Sequence, residues 1–293
     1  MLIRILSIVF PLFAIAALGY FVGRRSQPDL GYVNKLNMDV FVPALVFGAL
    51  ASKDFRVDEF MPLALATFIV VVGSGALGWL IARALGVSVK TFVPPMMFNN
   101  CGNLGLPLAV LAFGEQALAP AVVMFMVSNL LHFSFGAWLL DRNTRLAMIW
   151  RIPSVAATIL GLGVSAAGIE LWAPLMQAVR MLGDVVIPLM LFALGVRLAD
   201  ARFDAWRLGV IAAAARPLAG IAMAALLLLA IDLPAEQQAL LLVFGALPPA
   251  VLNYMFAERY RQEPEQVASM VMIGNLAAVV VLPVVLAIAL SFA

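Results

Sequence analysis

Asn99, Asn100 and Asn103 fall within the stretch Thr91–Glu115, TFVPPMMFNNCGNLGLPLAVLAFGE, whose flanks are apolar enough for a bilayer. An amide offers donors and an acceptor, so it can bind a carboxylate or a cation, or tie up loose backbone. Gly102 and Gly105 lack side chains and Pro107 lacks a backbone donor, so the run is not an ordinary lipid-facing helix. Broken backbone at membrane depth is tolerated where protein buries it or water reaches it, and in transporters it forms the substrate site. A second stretch, ALPPAVLN from Ala246 to Asn253, has the same character, with Pro248 and Pro249 ahead of Asn253. A substrate role is expected for at least one of Asn100 and Asn253. Asn34, in a connector, is expected to have none.

Other polar residues in apolar surroundings extend the set. Asn129 and Asn275 suit either hydrogen bonding between helices or lining of a site. Ser128, beside Asn129, adds an oxygen able to ligate sodium. Arg216 precedes Pro217 inside an apolar run; it either neutralises a substrate carboxylate or snorkels to the membrane face. Asp39 and Asp184 open an enzyme reading, because an intramembrane aspartyl protease needs two carboxylates sharing a proton. Met181 and Leu182 break the Gly-x-Gly-Asp pattern of such proteases at Asp184. Each Asp otherwise satisfies backbone near a helix start, or titrates during transport. Glu115 is expected to be solvated, with ion coupling as its other reading, and His132 is expected to pack.

The chain that must position these residues is 65% hydrophobic and 12% charged, against about 25% charge in soluble domains. It is therefore read as a membrane protein with the lipid bilayer as its surroundings. A net charge of +2 without a basic run gives no sign of a nucleic-acid partner. One cysteine, Cys101, and one histidine, His132, allow neither an internal disulfide nor a typical zinc site. No cofactor is expected beyond a coupling ion, H+ or Na+.

Stretches of about 20 apolar residues suffice to cross a bilayer. Ten are expected, at about 5–23, 34–52, 60–84, 92–113, 117–140, 152–170, 176–198, 207–231, 238–257 and 266–291. The first resembles a signal peptide, but it has an internal copy. Pro11 and Gly19 match Pro153 and Gly161; Asp39, Pro43 and Phe47 match Asp184, Pro188 and Phe192; Asn129 matches Asn275. The offsets of 142, 145 and 146 residues are steady. They also set Asn100–Pro107 against Ala246–Asn253, so both interruptions fall at corresponding places in two halves. Five spans per half make the halves run in opposite directions.

Charge supports that inversion. Thirteen of the 18 basic residues fall on one side: Arg24, Arg25, Lys35, Arg83, Lys90, Arg142, Arg145, Arg151, Arg197, Arg202, Arg207, Arg259 and Arg261. Arg4, Lys53, Arg56 and Arg180 fall on the other. Basic loops stay in the cytoplasm, so both termini are expected in the periplasm of a bacterial inner membrane.

Asn100-x-Gly102-x-x-Gly105-x-Pro107, Pro43-Ala44-Leu45, Pro188 with Leu194-Gly195, and Pro248-Pro249-Ala250 together resemble the auxin efflux carrier family of the bile-acid, arsenite and auxin transporter superfamily. The resemblance implies an all-α membrane protein of ten transmembrane helices in two inverted five-helix repeats, 1–140 and 152–293, with broken helices 4 and 9 crossing at mid-membrane. It implies a scaffold of helices 1, 2, 6 and 7 and a mobile core of helices 3–5 and 8–10. The short connector 141–151 matches bacterial members rather than plant ones. The expected function is secondary active transport of small organic anions, mainly carboxylates, by an elevator mechanism, with a homodimer through the scaffold. Alternatives are a sodium-coupled carrier resembling bile-acid symporters, the aspartyl protease and a passive channel.

Overall fold

The computed structural model describes residues 1–51, 55–144, 146–199 and 203–291. Lys53, Arg145 and Arg202, counted above among the loop charges, lie outside the described residues. The chain is helical, with no strand among the described residues beyond one isolated bridge. In chain order the helices are α1 Leu2–Ser26, α2 Gly31–Leu50, α3 Val57–Leu85, α4 Val89–Met97, α5 Cys101–Phe113 and α6 Glu115–Leu140. There follow α7 Pro153–Ala166, α8 Ala173–Ala199, α9 Trp206–Leu228, α10 Ala235–Ala246, α11 Val251–Arg259 and α12 Pro264–Ala289.

Among the described residues, seven of these are long and apolar enough to cross a membrane: α1, α2, α3, α6, α8, α9 and α12. The other three expected spans differ for physical reasons. Those at 92–113 and 238–257 are each divided, into α4 and α5 and into α10 and α11. α7 has 14 residues, about 21 Å of helix, against ~30 Å of hydrocarbon.

Proline shapes the helices from within. A proline ring clashes with the carbonyl four residues earlier and removes one rung of the ladder. Pro43 lies four residues after Asp39, and the ladder there widens into a π-helical turn, Asn37–Phe41. Pro107 stands in the same relation to Asn103, within the π-helical turn Cys101–Gly105. Pro188 follows Asp184 by four, and α8 is interrupted at Val185. Elsewhere helices end in ordinary ways: α3 stops at Gly86, whose φ of 68° turns the chain while its N–H returns to Ala82 and Arg83.

α1 packs most extensively against α8, and α2 packs against α7 and α8. In a second group, α3 packs on α4, α6 and α9, α9 on α10 and α12, and α11 on α12. The groups meet where α5 touches α1 and α8, and where α1 touches α12. Lipid is as apolar as leucine, so close backbone approach holds such helices together. At Gly195 a Cβ would lie 2.8 Å from both the Ala16 carbonyl carbon and the Tyr20 nitrogen, so α1 and α8 pack backbone to backbone.

Four residues of the basic set gather in one place. Lys90 Nζ donates to the Leu140 carbonyl at 2.9 Å, and a shallow depression joins Lys90, Arg142, Arg259 and Arg261. Elsewhere, Ser165 Oγ donates to the Phe55 carbonyl at 2.7 Å.

Candidate functional site

The two interruptions meet. Helical backbone stops at Met97, and Phe98 is extended, with φ −99° and ψ 107°. α10 stops at Ala246, and Leu247 is extended, with φ −59° and ψ 142°, as a residue ahead of proline prefers. Asn99 and Pro249 form an antiparallel bridge. The Asn100 N–H donates to the Pro248 carbonyl at 2.7 Å, and the Ala250 N–H donates to the Phe98 carbonyl at 2.9 Å. Only those two donors are needed. Pro248 and Pro249, which have none, occupy places where this pairing asks for no N–H.

Side-chain amides complete the junction. Asn99 Nδ2 donates to the Phe244 carbonyl at 2.6 Å. Asn253 Nδ2 donates to the carbonyls of Phe98 and Ala250, both at 2.9 Å. Asn275 Nδ2 donates to those of Pro249, at 3.0 Å, and Val271, at 2.8 Å, while its oxygen accepts from Asn100 Nδ2 at 2.8 Å. Broken helices leave carbonyls and N–H groups without partners, and these amides supply them. Arg216, fully buried, does the same: its Nη1 donates to the Gly245 carbonyl at 3.0 Å. Gly105 faces Leu247 across the junction, where a Cβ would come within 2.9 Å of Cδ1.

Beside the junction lies a cavity of about 330 Å³. Asn99, Asn100, Gly102, Asn103, Ser128 and Asn129 line it, so six sequence-predicted residues share one space. Asn253, Asn275, Pro107, Pro248, Pro249, Gly105 and Arg216 lie outside its walls and hold the backbone beside it. Glu115, Asp39 and Asp184 are elsewhere and exposed. Asp39 pairs with Lys35, and the two aspartates share no hydrogen bond. Among the described residues no cluster of three or more His, Cys, Asp or Glu is placed to hold a metal ion.

Several lining residues were not expected in the site. Asn34 is one, which corrects its placement in a connector remote from the site: α2 begins at Gly31, and its first turns carry Asn34, Asn37 and Met38 to the cavity. Arg197 and Arg259, read as loop charges, reach it from the ends of α8 and α11. His132 lines it while stacked on Phe98, ring centres 4.1 Å apart and planes 8° from parallel, so its expected packing role is also present. All three π-helical turns among the described residues border the cavity: Asn37–Phe41, Cys101–Gly105 and His132–Gly136. Such turns recur at functional sites, because they re-aim side chains within a helix. Proline four residues ahead was a usable sequence signal for two of them; the third has none.

The walls come from both helix groups. α2 and α8 supply Asn34, Asn37, Leu189, Met190, Ala193 and Arg197; the junction residues Asn99 and Asn100, with α5, α6 and α11, supply the rest of the polar lining. Among the described residues no Asp or Glu lines the cavity, and Arg197 and Arg259 make that lining positive. Away from the basic end, Ala109, Ala121, Leu240, Val243 and Leu247 close together around a void of only about 10 Å³.

Seven membrane-length helices in an all-helical chain define a multi-pass membrane protein. The chain belongs to the auxin efflux carrier family, described as membrane transport protein, which matches residues 4–149 and 142–286. It is similar to a Rhizobium meliloti (strain 1021) protein named "Putative malonate transporter", 25% identical over 215 residues, or 67% of each chain. It is also similar to an uncharacterized transporter of Methanocaldococcus jannaschii, 21% identical over 288 residues, covering 92% of this chain and 93% of the other. Family and relatives make the chain a transporter and not an enzyme.

Proposed function

We propose that the chain is a secondary active carrier of small organic anions, carboxylates above all. The observation that carries this reading is the cavity beside the paired interruptions, amide-rich and lined by two arginines, with no carboxylate among the described residues. The relative named for malonate supports the same substrate class. At about 330 Å³ the cavity lies near the small end of ligand pockets, which run from ~300 to 1,000 Å³.

The mechanism is alternating access of the elevator type. Ten spans form two inverted repeats, 1–140 and 152–293, and the divided spans cross at mid-membrane. α1, α2, α7 and α8 act as scaffold; α3–α6 and α9–α12 carry the substrate. The packing into two groups supports this division, and a cavity walled by both groups is what their relative sliding would open and close. The cavity mouth lies at the basic end, which the charge rule assigns to the cytoplasm of a bacterial inner membrane, with both termini in the periplasm. The scaffold's outer face pairs two copies.

Sodium coupling is a second reading that one observation favours. Asn99 Oδ1 and Asn253 Oδ1 are buried at the junction without a partner among the described residues, and acceptor oxygens suit a hard cation. The test is uptake into proteoliposomes, using a panel of labelled carboxylates under imposed proton or sodium gradients. Accumulation of at least one carboxylate, driven by one gradient, is expected. Exchange that never exceeds equilibration under either gradient would favour a channel and sink the carrier reading.

A further inference from the structure

We propose that Arg197 and Arg259 form a two-point clamp that selects dianions, so that the preferred substrate is a short dicarboxylate rather than a monocarboxylate. The proposal rests on the organic-anion reading above and names the substrate class of that same cavity.

Among the described residues, Arg197 and Arg259 are the only side chains with a fixed charge on the cavity wall. Neither has a carboxylate partner among the described residues. Arg197 Nη1 has only the Met255 sulfur, at 4.0 Å, and Arg259 lies over the Tyr260 ring, 5.8 Å from its centre. Arg259 is one helical turn beyond Met255 on α11, so both guanidinium groups belong to one neighbourhood at the mouth. Two like charges on the wall of one cavity, with no carboxylate on that wall among the described residues, repel each other when the cavity is empty, and the repulsion is felt most where water is scarce. Each guanidinium matches a carboxylate through paired N–H donors. One carboxylate can satisfy one fork; the second fork calls for a second carboxylate on the same molecule.

The amides alongside fit the same ligand. Asn37 is only 5% exposed and lines the cavity, where its amide N–H groups are the donors a carboxylate can use. Asn103 and Asn129 line it with side chains that make no hydrogen bond within the described residues. They can hold the carboxylate edges that the arginines leave open. The clamp also spans the two helix groups, since Arg197 is on α8 and Arg259 on α11. A dianion held by both would join the groups, and it would remove the repulsion between arginines across the surface where they meet.

Binding to purified protein tests this, with malonate and succinate as dianions and monomethyl malonate as a monoanion of nearly the same shape. Wild type is expected to bind a dianion at least about tenfold more tightly than the monoester, the size of one charge-assisted hydrogen bond. Arg197→Gln and Arg259→Gln should each remove most of that preference and leave monoester binding little changed. Arg197→Lys and Arg259→Lys keep the charge but lose the fork, and should retain part of it. These serve where a Gln variant is not monodisperse. Equal preference in wild type and variants overturns the clamp. A wild type that binds the monoester as well as either dianion also overturns it, while leaving the organic-anion reading intact. A wild type that binds no carboxylate at all overturns both.

Discussion

Asparagine does two jobs around the junction, and the hydrogen bonds separate them. Asn253 and Asn275 spend their donors on carbonyls that the interruptions expose. Asn103 and Asn129 keep theirs for the cavity. Asn253→Ala is therefore expected to cost about 1–3 kcal/mol, the penalty for leaving buried acceptors unsatisfied. Asn103→Ala and Asn129→Ala should leave stability alone and weaken anion binding. Thermal unfolding of purified variants, with and without substrate, reads both effects. Asn143→Ala, in an exposed turn, is the control in place of Asn34. A stable Asn253→Ala protein with impaired binding would reverse the division. Sequence alone picked out these amides, because Asn is conspicuous in an apolar run. It could not divide them, since the division depends on which carbonyl each amide meets once distant segments pack together, as Asn99 meets Phe244 and Asn253 meets Phe98. The same limit hid Arg197 and Arg259: position along the chain marked them as loop charges, and only the packing of α8 near α11 turns them towards one cavity.

At the scale of the helix, proline and glycine gave most of the legible signal. The divided spans were readable because Pro107, Pro248 and Pro249 interrupt runs that are otherwise apolar enough to cross. The π-helical turn His132–Gly136 was not readable, since no proline stands behind it. Nor was the shortness of α7, because 167–170 are apolar enough on average to extend a span but the chain turns at Gly168 with φ 61°. Gly19 drew notice as a repeat marker; its partner across the α1–α8 contact is the Phe192 backbone, with Gly195 against Ala16 one turn on. Gly195→Ala is therefore expected to force α1 away from α8 and destabilise the protein by about 1–3 kcal/mol, the usual cost of overpacking. Gly163 in α7 has nothing within 4 Å of a new Cβ, so Gly163→Ala should cause no loss. Melting temperatures in detergent compare the two, and equal values would show that α1 and α8 can separate freely.

For the whole molecule, the sequence repeat and the charge bias predict two halves and a basic end, and Lys90, Arg142, Arg259 and Arg261 share one depression. What remains is a surface that a single chain does not explain. Gln177, Arg180 and Asp184 recur at i, i+3 and i+7 along α8, so they form one stripe, and all three are exposed. Neither Arg180 nor Asp184 has an ion pair among the described residues. Asp184 lies eleven residues into α8, about 16 Å along its axis, well within the depth of a bilayer. Charges facing lipid there are costly, and intramembrane charges face a partner or a cavity. The stripe carries both signs on one face, so it is complementary to itself. A two-fold axis along the membrane normal would set the two stripes side by side, with Arg180 of each copy about one helical turn in depth from Asp184 of the other. This is the scaffold pairing proposed above. Gln177→Cys in a Cys101→Ser background should give a covalent dimer under mild oxidation in membranes. Leu226→Cys, exposed on α9 in the other helix group, should stay monomeric. If both remain monomers, the stripe meets water or lipid and the dimer reading fails. If both cross-link equally, the contact is random collision, and the stripe has no assigned partner.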